Sequence, residues 1–185
     1  MARKTLAQRK ERDAARELEL SNDTTIGGRI LDRAKSTPKR QLSGIDADWY
    51  ANQLYTELSE VAEQRFPEIG ELCFFTYSAA YPEKYPWYDR RPLAYILEIK
   101  NDSILGANLH YYNPDIRGAI ARSLINKREA SMPRKLLHRY FITNIDGLFI
   151  IPEDYDEWGD IAMLVTENFV STKGRVSPEQ VWDSV

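Results

Sequence analysis

The sequence predicts an α+β fold. The expected form is a small SH3-like, partly open antiparallel β-barrel with an inserted helix, preceded by an amphipathic helix and an extended N-terminal arm. Three observations lead there. Aromatic residues are absent from Met1 to Arg40 and dense afterwards. One apolar pattern of helical period, over residues 46–66, precedes a series of short apolar segments broken by prolines and turn residues. A single helical pattern then interrupts that series. Strands this short, joined this tightly, exclude a doubly wound parallel sheet.

The chain has 185 residues, enough for one ordinary domain and appendages. Residues 1–44 are expected to form a basic extended arm, 45–170 the barrel domain and 171–185 a C-terminal docking tail. Met1–Arg40 carries eleven Lys/Arg against six Asp/Glu, a net +5; the rest carries −8, which gives the overall −3. In the arm, "LAQRKERDAARELEL" is rich in helix formers, but its large apolar residues are only Leu6, Leu18 and Leu20. Such a segment buries too little to hold itself on a core, so residues 1–44 read as a disordered tail in the isolated chain, the alternative being an arm that becomes ordered against a partner chain or nucleic acid. Gly27-Gly28, Pro38 and Gly44 break up residues 21–44, where Ile26, Ile30 and Leu31 form a short apolar patch of helical spacing.

Residues 46–66 read as the clearest helix, with Tyr50, Leu54, Leu58, Val61 and Ala62 on one face. Asp46 or Asp48 is placed to cap it, and Pro67 to end it. "GELCFFTYSA", "PLAYILEI" and "SILGANLHYY" read as strands, the last two joined as a hairpin through "KNDS". Asn113 caps the inserted helix, Pro114 opens it, and Ile116, Ile120, Ala121 and Leu124 line its apolar face. "RYFITN" and "GLFIIP" read as a second hairpin around residues 144–147. "DIAMLVTENFV" fits a strand or a short helix. In the tail, Val176, Val181 and Trp182 need a surface to cover them.

Composition narrows the chemistry. One cysteine, Cys73 in "LCFF", excludes an internal disulfide and a zinc ribbon, and reads as a buried thiol in a reducing compartment. No apolar run approaches the ~18 residues of a membrane span, and the N-terminus lacks a secretory apolar core, so no membrane partner is expected. No phosphate-binding loop, dinucleotide glycine motif, nucleophile elbow or His-Glu-x-x-His motif occurs. The expectation is therefore no catalytic, metal-binding or cofactor-binding residue and no cofactor.

The residues singled out as structural or interface candidates are Tyr88, Asp89, Arg91, His110, Asn113, Arg117 and Trp182. His110 is expected to hydrogen-bond loop backbone at a strand-to-helix corner; the rival is a base with Asp115 and Arg117 beside it. Asp89 is expected to hold its own turn or pair with Arg90, Arg91 or Arg117. The rival there is a nuclease or phosphate grip with Tyr88. His138, among Arg134, Lys135 and Arg139, reads as a surface residue. The acidic run "PEDYDEWGD" reads as a solvated loop or a patch facing a basic partner, since its spacing is not that of a calcium loop. Residues 117–139 carry seven Lys/Arg against one acidic residue, and the segment after Pro152 eight acidic residues against two basic. That bipolar layout suits head-to-tail protein contacts as well as nucleic acid.

At "WYDRRPLAYIL" and "LGANLHYYNPDIR" the chain resembles a family of small virion structural proteins of contractile-tailed bacteriophages. The shared features are a "YD" and "PL" pair entering a strand, a "GxNLHY" strand and an arginine-bearing helix. Ile151-Pro152 and the ending Val181-Trp182-Asp183-Ser184 are also similar, so the resemblance covers about residues 70–185. It implies a baseplate, neck or DNA-end role and no catalytic residue. The expected function is a structural subunit of a tailed-phage virion, in the baseplate or head–tail connection. It would be assembled in the host cytoplasm, in multiple copies of a symmetric assembly, against other virion structural proteins. Two alternatives stay open: a nucleic-acid-binding protein contacting phage DNA at the genome end, and an SH3-barrel ribonuclease-like enzyme.

Overall fold

The computed structural model describes residues 24–37, 46–62, 65–125 and 132–184. The helix-forming run at residues 6–20, with Lys127 and Arg128, lies outside them. The described residues contain α1 (Ile26–Ser36), α2 (Ala47–Val61), β1 (Leu72–Tyr77), β2 (Tyr88–Asp89), β3 (Leu93–Ile99) and β4 (Ser103–Asn108). Then come α3 (Pro114–Leu124), β5 (Leu137–Phe141), β6 (Ile145–Ile150), α4 (Tyr155–Met163), β7 (Phe169–Ser171), β8 (Gly174–Arg175) and α5 (Pro178–Trp182). One antiparallel sheet has the order β5-β4-β3-β1-β6, and a small one the order β2-β7-β8.

β1 explains why the fold has two cores. Its side chains alternate between faces, and both faces are covered. Leu72 and Phe74 join Leu93, Tyr95, Ala107 and Leu109 under the helices. Cys73, Phe75 and Tyr77 join Ala94, Ile96, Ile104 and Tyr140 on the opposite face. There Phe75 and Tyr77 both meet the Tyr140 ring edge-on, at 5.1 and 5.0 Å between centroids, although β1 and β5 are separated by two strands. The sheet is therefore strongly curled. Cys73 is fully buried, and burial pushes its thiol far up.

The β3–β4 hairpin forms as expected, with Lys100 N–H donating to Ser103 O at 2.8 Å across its turn. The second expected hairpin does not. β5 pairs with β4 and β6 with β1, so the two strands occupy opposite edges of the sheet. Curling brings those edges close enough for the single 3₁₀ turn Ile142–Asn144 to connect them. The ambiguous segment at 160–170 resolves into the last turns of α4, an extended stretch and β7.

Helix ends follow their caps. Asp46 accepts from Trp49 N–H at 2.9 Å to start α2, and Asn113 from Ile116 N–H at 3.0 Å to start α3. α2 ends at Val61, before the position Pro67 suggests, and Val61 is exposed instead of lining the apolar face. On α3 the buried positions are Arg117, Gly118, Ala121 and Leu124, while Ile116 is half exposed. The helix is rotated from its apolar stripe because an arginine takes a core position.

Both extremities need correcting. Residues 26–36, expected in the extended arm, form a helix whose Ile26 and Ile30 enter the main core. Arg29 and Arg33 of that helix pair with Glu57 of α2, the first at 2.7 Å. In the 171–184 segment the apolar residues are covered by their own chain, although most of its other residues are exposed: Val181 of α5 is fully buried and Val176 packs against the main core. The apolar patches there are too small to identify a covering surface from sequence alone.

α1 approaches α4 at backbone contact. A Cβ on Gly27 would lie 2.5 Å from Asp160 C and Ile161 N. Gly27→Ala is therefore expected to undock α1. It would lose about 2–4 kcal/mol, on the scale of burying one or two isoleucines, read as a lower urea midpoint. Unchanged stability would show that the two helices do not meet there.

Candidate functional site

Asp89 is placed by two constraints. Pro92 keeps Arg91 extended, and the β2–β7 pairing sets Asp89 opposite Phe169. Its Oδ1 accepts the backbone N–H groups of Arg91 and Asn168, each at 3.0 Å. Its Oδ2 accepts from Asn108 Nδ2 at 3.2 Å and meets His110 Nδ1 at 2.7 Å. Burial alone would raise this carboxyl, but the His110 ring and the two amides outweigh it and hold it at about 2.

His110 lies in a 3₁₀ turn, Leu109–Tyr111, that ends β4. The strand expected over "SILGANLHYY" therefore stops at Asn108, and Leu109, His110 and Tyr111 are all buried. His110 N–H donates to Asn108 Oδ1 at 3.1 Å, and Nε2 meets Thr166 Oγ1 at 3.0 Å. Asp89, His110 and Thr166 thus have the connectivity of a hydroxyl–imidazole–carboxylate triad. They are 3%, 0% and 1% exposed, so no substrate reaches the hydroxyl in this conformation. What the chain does is fasten β2, β4 and the segment before β7 to one another.

The other candidates are brought together only in part. Trp182 Nε1 donates to His110 O at 3.0 Å, tying α5 to the same turn. Arg91 pairs with Asp48 at 2.8 Å, and Arg117 with Glu167 at 2.9 Å. Neither pairs with Asp89, and Asp115 is exposed, apart from His110. Asn113 is the α3 cap. His138 is half-buried, stacked on Tyr111 with centroids 4.4 Å apart, and burial holds its imidazole below the ordinary value.

Tyr88 leads to an accessible cleft. It lines a cleft of about 120 Å³ with Tyr77, Tyr81, Tyr85, Trp87 and Tyr111, while Asp89, Asn108 and Tyr140 also contribute. The Tyr81 and Tyr85 rings are half exposed. Lys84 lies over the Tyr81 ring at 4.3 Å, and Arg139 lines the cleft while pairing with Glu98 at 3.1 Å. The Tyr140 hydroxyl is buried and faces Asn108 without a hydrogen bond of normal geometry. An aromatic wall with a cationic rim and an under-used hydroxyl suits a flat side chain or ring flanked by negative charge.

Sequence reasoning missed Asn108, Thr166 and Glu167. The last carried a signal, because a carboxylate inside "IAMLVTENFV" needs a buried partner. Among the described residues no group of three or more His, Cys, Asp or Glu is placed to hold a metal ion. No helix among them is long and apolar enough to cross a membrane. Compared with protein families, curated proteins and solved structures, the chain has no significant match to any of the three.

Proposed function

We propose that this chain is a structural subunit of a contractile-tailed phage virion, in the baseplate or head–tail connection, and acts by protein–protein contact, not catalysis. One observation carries the reading. The Asp89–His110–Thr166 chain is sealed from solvent, whereas an aromatic cleft with a charged rim is open to it. Surfaces of that kind hold partners by shape and charge. The resemblance over residues 70–185 supports the same reading. We also read the curled sheet as an SH3-like, partly open barrel, supported by the contact of β1 rings with Tyr140. With α1 and α5 packed on the body, docking in this proposal rests on the folded surface instead of on residues 26–36 and 171–184.

The partners are other virion proteins, with several copies in a symmetric assembly. Hydroxyl-radical footprinting tests this on purified particles and on the free protein. Oxidation of Tyr81, Tyr85 and Tyr155, all half exposed here, is expected to drop several-fold in the particle. Equal oxidation in both states, or particles that lack the chain, would refute the proposal.

A further inference from the structure

Building on the proposed assembly role, we infer that the aromatic cleft receives the Pro152–Asp156 turn of a second copy, so that copies join head to tail with Tyr155 as the inserted side chain. The turn offers what the cleft lacks. Residues 152–156 are all exposed, and Tyr155 is flanked by Glu153, Asp154 and Asp156. Asp154 caps α4, accepting from Asp156 and Glu157 N–H at 3.0 and 2.9 Å, which fixes the shape of the turn. The cleft rim carries exposed Lys84 and Arg139, with exposed Lys135 beside His138. Against them stand Glu83 beside Lys84 and Glu98 paired with Arg139 at 3.1 Å, so cations outnumber carboxylates there. The two surfaces are opposite in charge and both present aromatic rings.

Inside the cleft, the Tyr140 hydroxyl has no hydrogen bond of normal geometry, and burial pushes it well up, so it remains a proton donor. A phenol entering from outside offers it an acceptor. Asp89 at the floor is already matched by His110 at 2.7 Å, so a neutral tyrosine ring meets no unpaired charge there.

One copy cannot make this contact with itself. The cleft lies at the Tyr77 end of β1, which pairs with Ile145 at the start of β6. The turn leaves the other end, where Cys73 faces Ile150 and Ile151 N–H bonds Leu72 O. Residues 73 and 77 are four strand steps apart, about 13 Å, with the turn farther still. A contact between different surfaces on identical chains is heterologous: it closes into a ring or continues as a filament.

Two variants on exposed side chains test the pairing. The cleft variant is Lys84→Glu with Tyr85→Ala; the turn variant is Glu153→Lys with Tyr155→Ala. Sedimentation velocity at low salt is expected to show wild type growing in mass with concentration and each variant alone staying at the monomer's 21.5 kDa. An equimolar mixture of the two should double that mass, because each variant keeps the surface the other has lost. A wild type that is monomeric at every concentration overturns the inference, while the assembly role still stands or falls on the footprinting. If either variant alone still associates, another surface joins the copies. If both stay monomeric even when mixed while wild type associates, cleft and turn do not pair with each other; either result overturns the inference. If single-stranded oligonucleotide quenches Trp87 fluorescence in a wild type that does not self-associate, the cleft stacks bases and the inference is likewise overturned.

Discussion

Replacing Arg117 by methionine is expected to destabilise the protein by about 3–5 kcal/mol, the range for removing one partner of a buried ion pair. Arg117 and Glu167 are both essentially inaccessible. The guanidinium does more than neutralise Glu167 at 2.9 Å. Its Nη2 also donates to Leu164 O at 2.6 Å, its Nε to Ala162 O, and its Nη1 to Tyr112 O at 3.4 Å. Ala162 and Leu164 are at the C-terminus of α4, where carbonyls lack helical partners and cations are favoured. One α3 side chain therefore caps α4 and anchors the strand entry beyond it. Methionine retains the packing stem but leaves Glu167 with no counter-charge and removes a donor from the Ala162, Leu164 and Tyr112 carbonyls, of which Leu164 O keeps the Thr166 N–H at 2.9 Å. Adding Glu167→Leu should recover part of the loss, about 2 kcal/mol, by removing the stranded carboxylate. Urea titration of the two single variants and the double variant gives the coupling energy directly. A cost under about 1 kcal/mol for Arg117→Met would mean the clamp contributes little beyond its stem.

Nothing in the local sequence marks Arg117 as a core residue. Periodicity identifies α3, and Asn113-Pro114 marks its start, because capping and proline geometry act within a few residues. The orientation of the helix depends on a carboxylate fifty residues away, and no local pattern carries that. The same division runs through the fold. α2 and the β3–β4 hairpin are legible because their partners are local. The β5–β6 connection is not, because a short spacing between apolar runs suits a hairpin as well as an edge-to-edge crossing of a curled sheet. Docking of α1 is hidden by Gly27-Gly28, which reads as a break yet supplies the close approach to α4. At the site, Asp89 and His110 stand out as residue types, but their pairing depends on β2 joining β7. Two-residue strands leave almost no periodic signal.

The Asp89 network yields the clearest dependence on pH. Asp89 has an ordinary value of 3.8 and is held at about 2 in the folded protein. A folded value below the unfolded one means that folding favours the ionised form. The stabilisation is complete above about pH 4 and is lost as pH falls toward 2. The difference corresponds to about 2 kcal/mol at 1.36 kcal/mol per pH unit. Other carboxylates contribute to any acid transition: Asp48 and Glu57 are also held low, whereas burial pushes Glu157 up, which opposes them. Subtracting an Asp89→Asn variant isolates the one group. The variant retains an acceptor for the Arg91 and Asn168 amides but has no charge to set against His110, so it begins less stable at pH 6. Stability from urea unfolding at pH 6, 4, 3 and 2 should show wild type losing its advantage mainly below pH 4 and converging on the variant near pH 2. Curves that stay parallel down to pH 2 would mean Asp89 ionises alike in folded and unfolded chains. The His110 pairing would then not be what joins β2, β4 and the segment before β7.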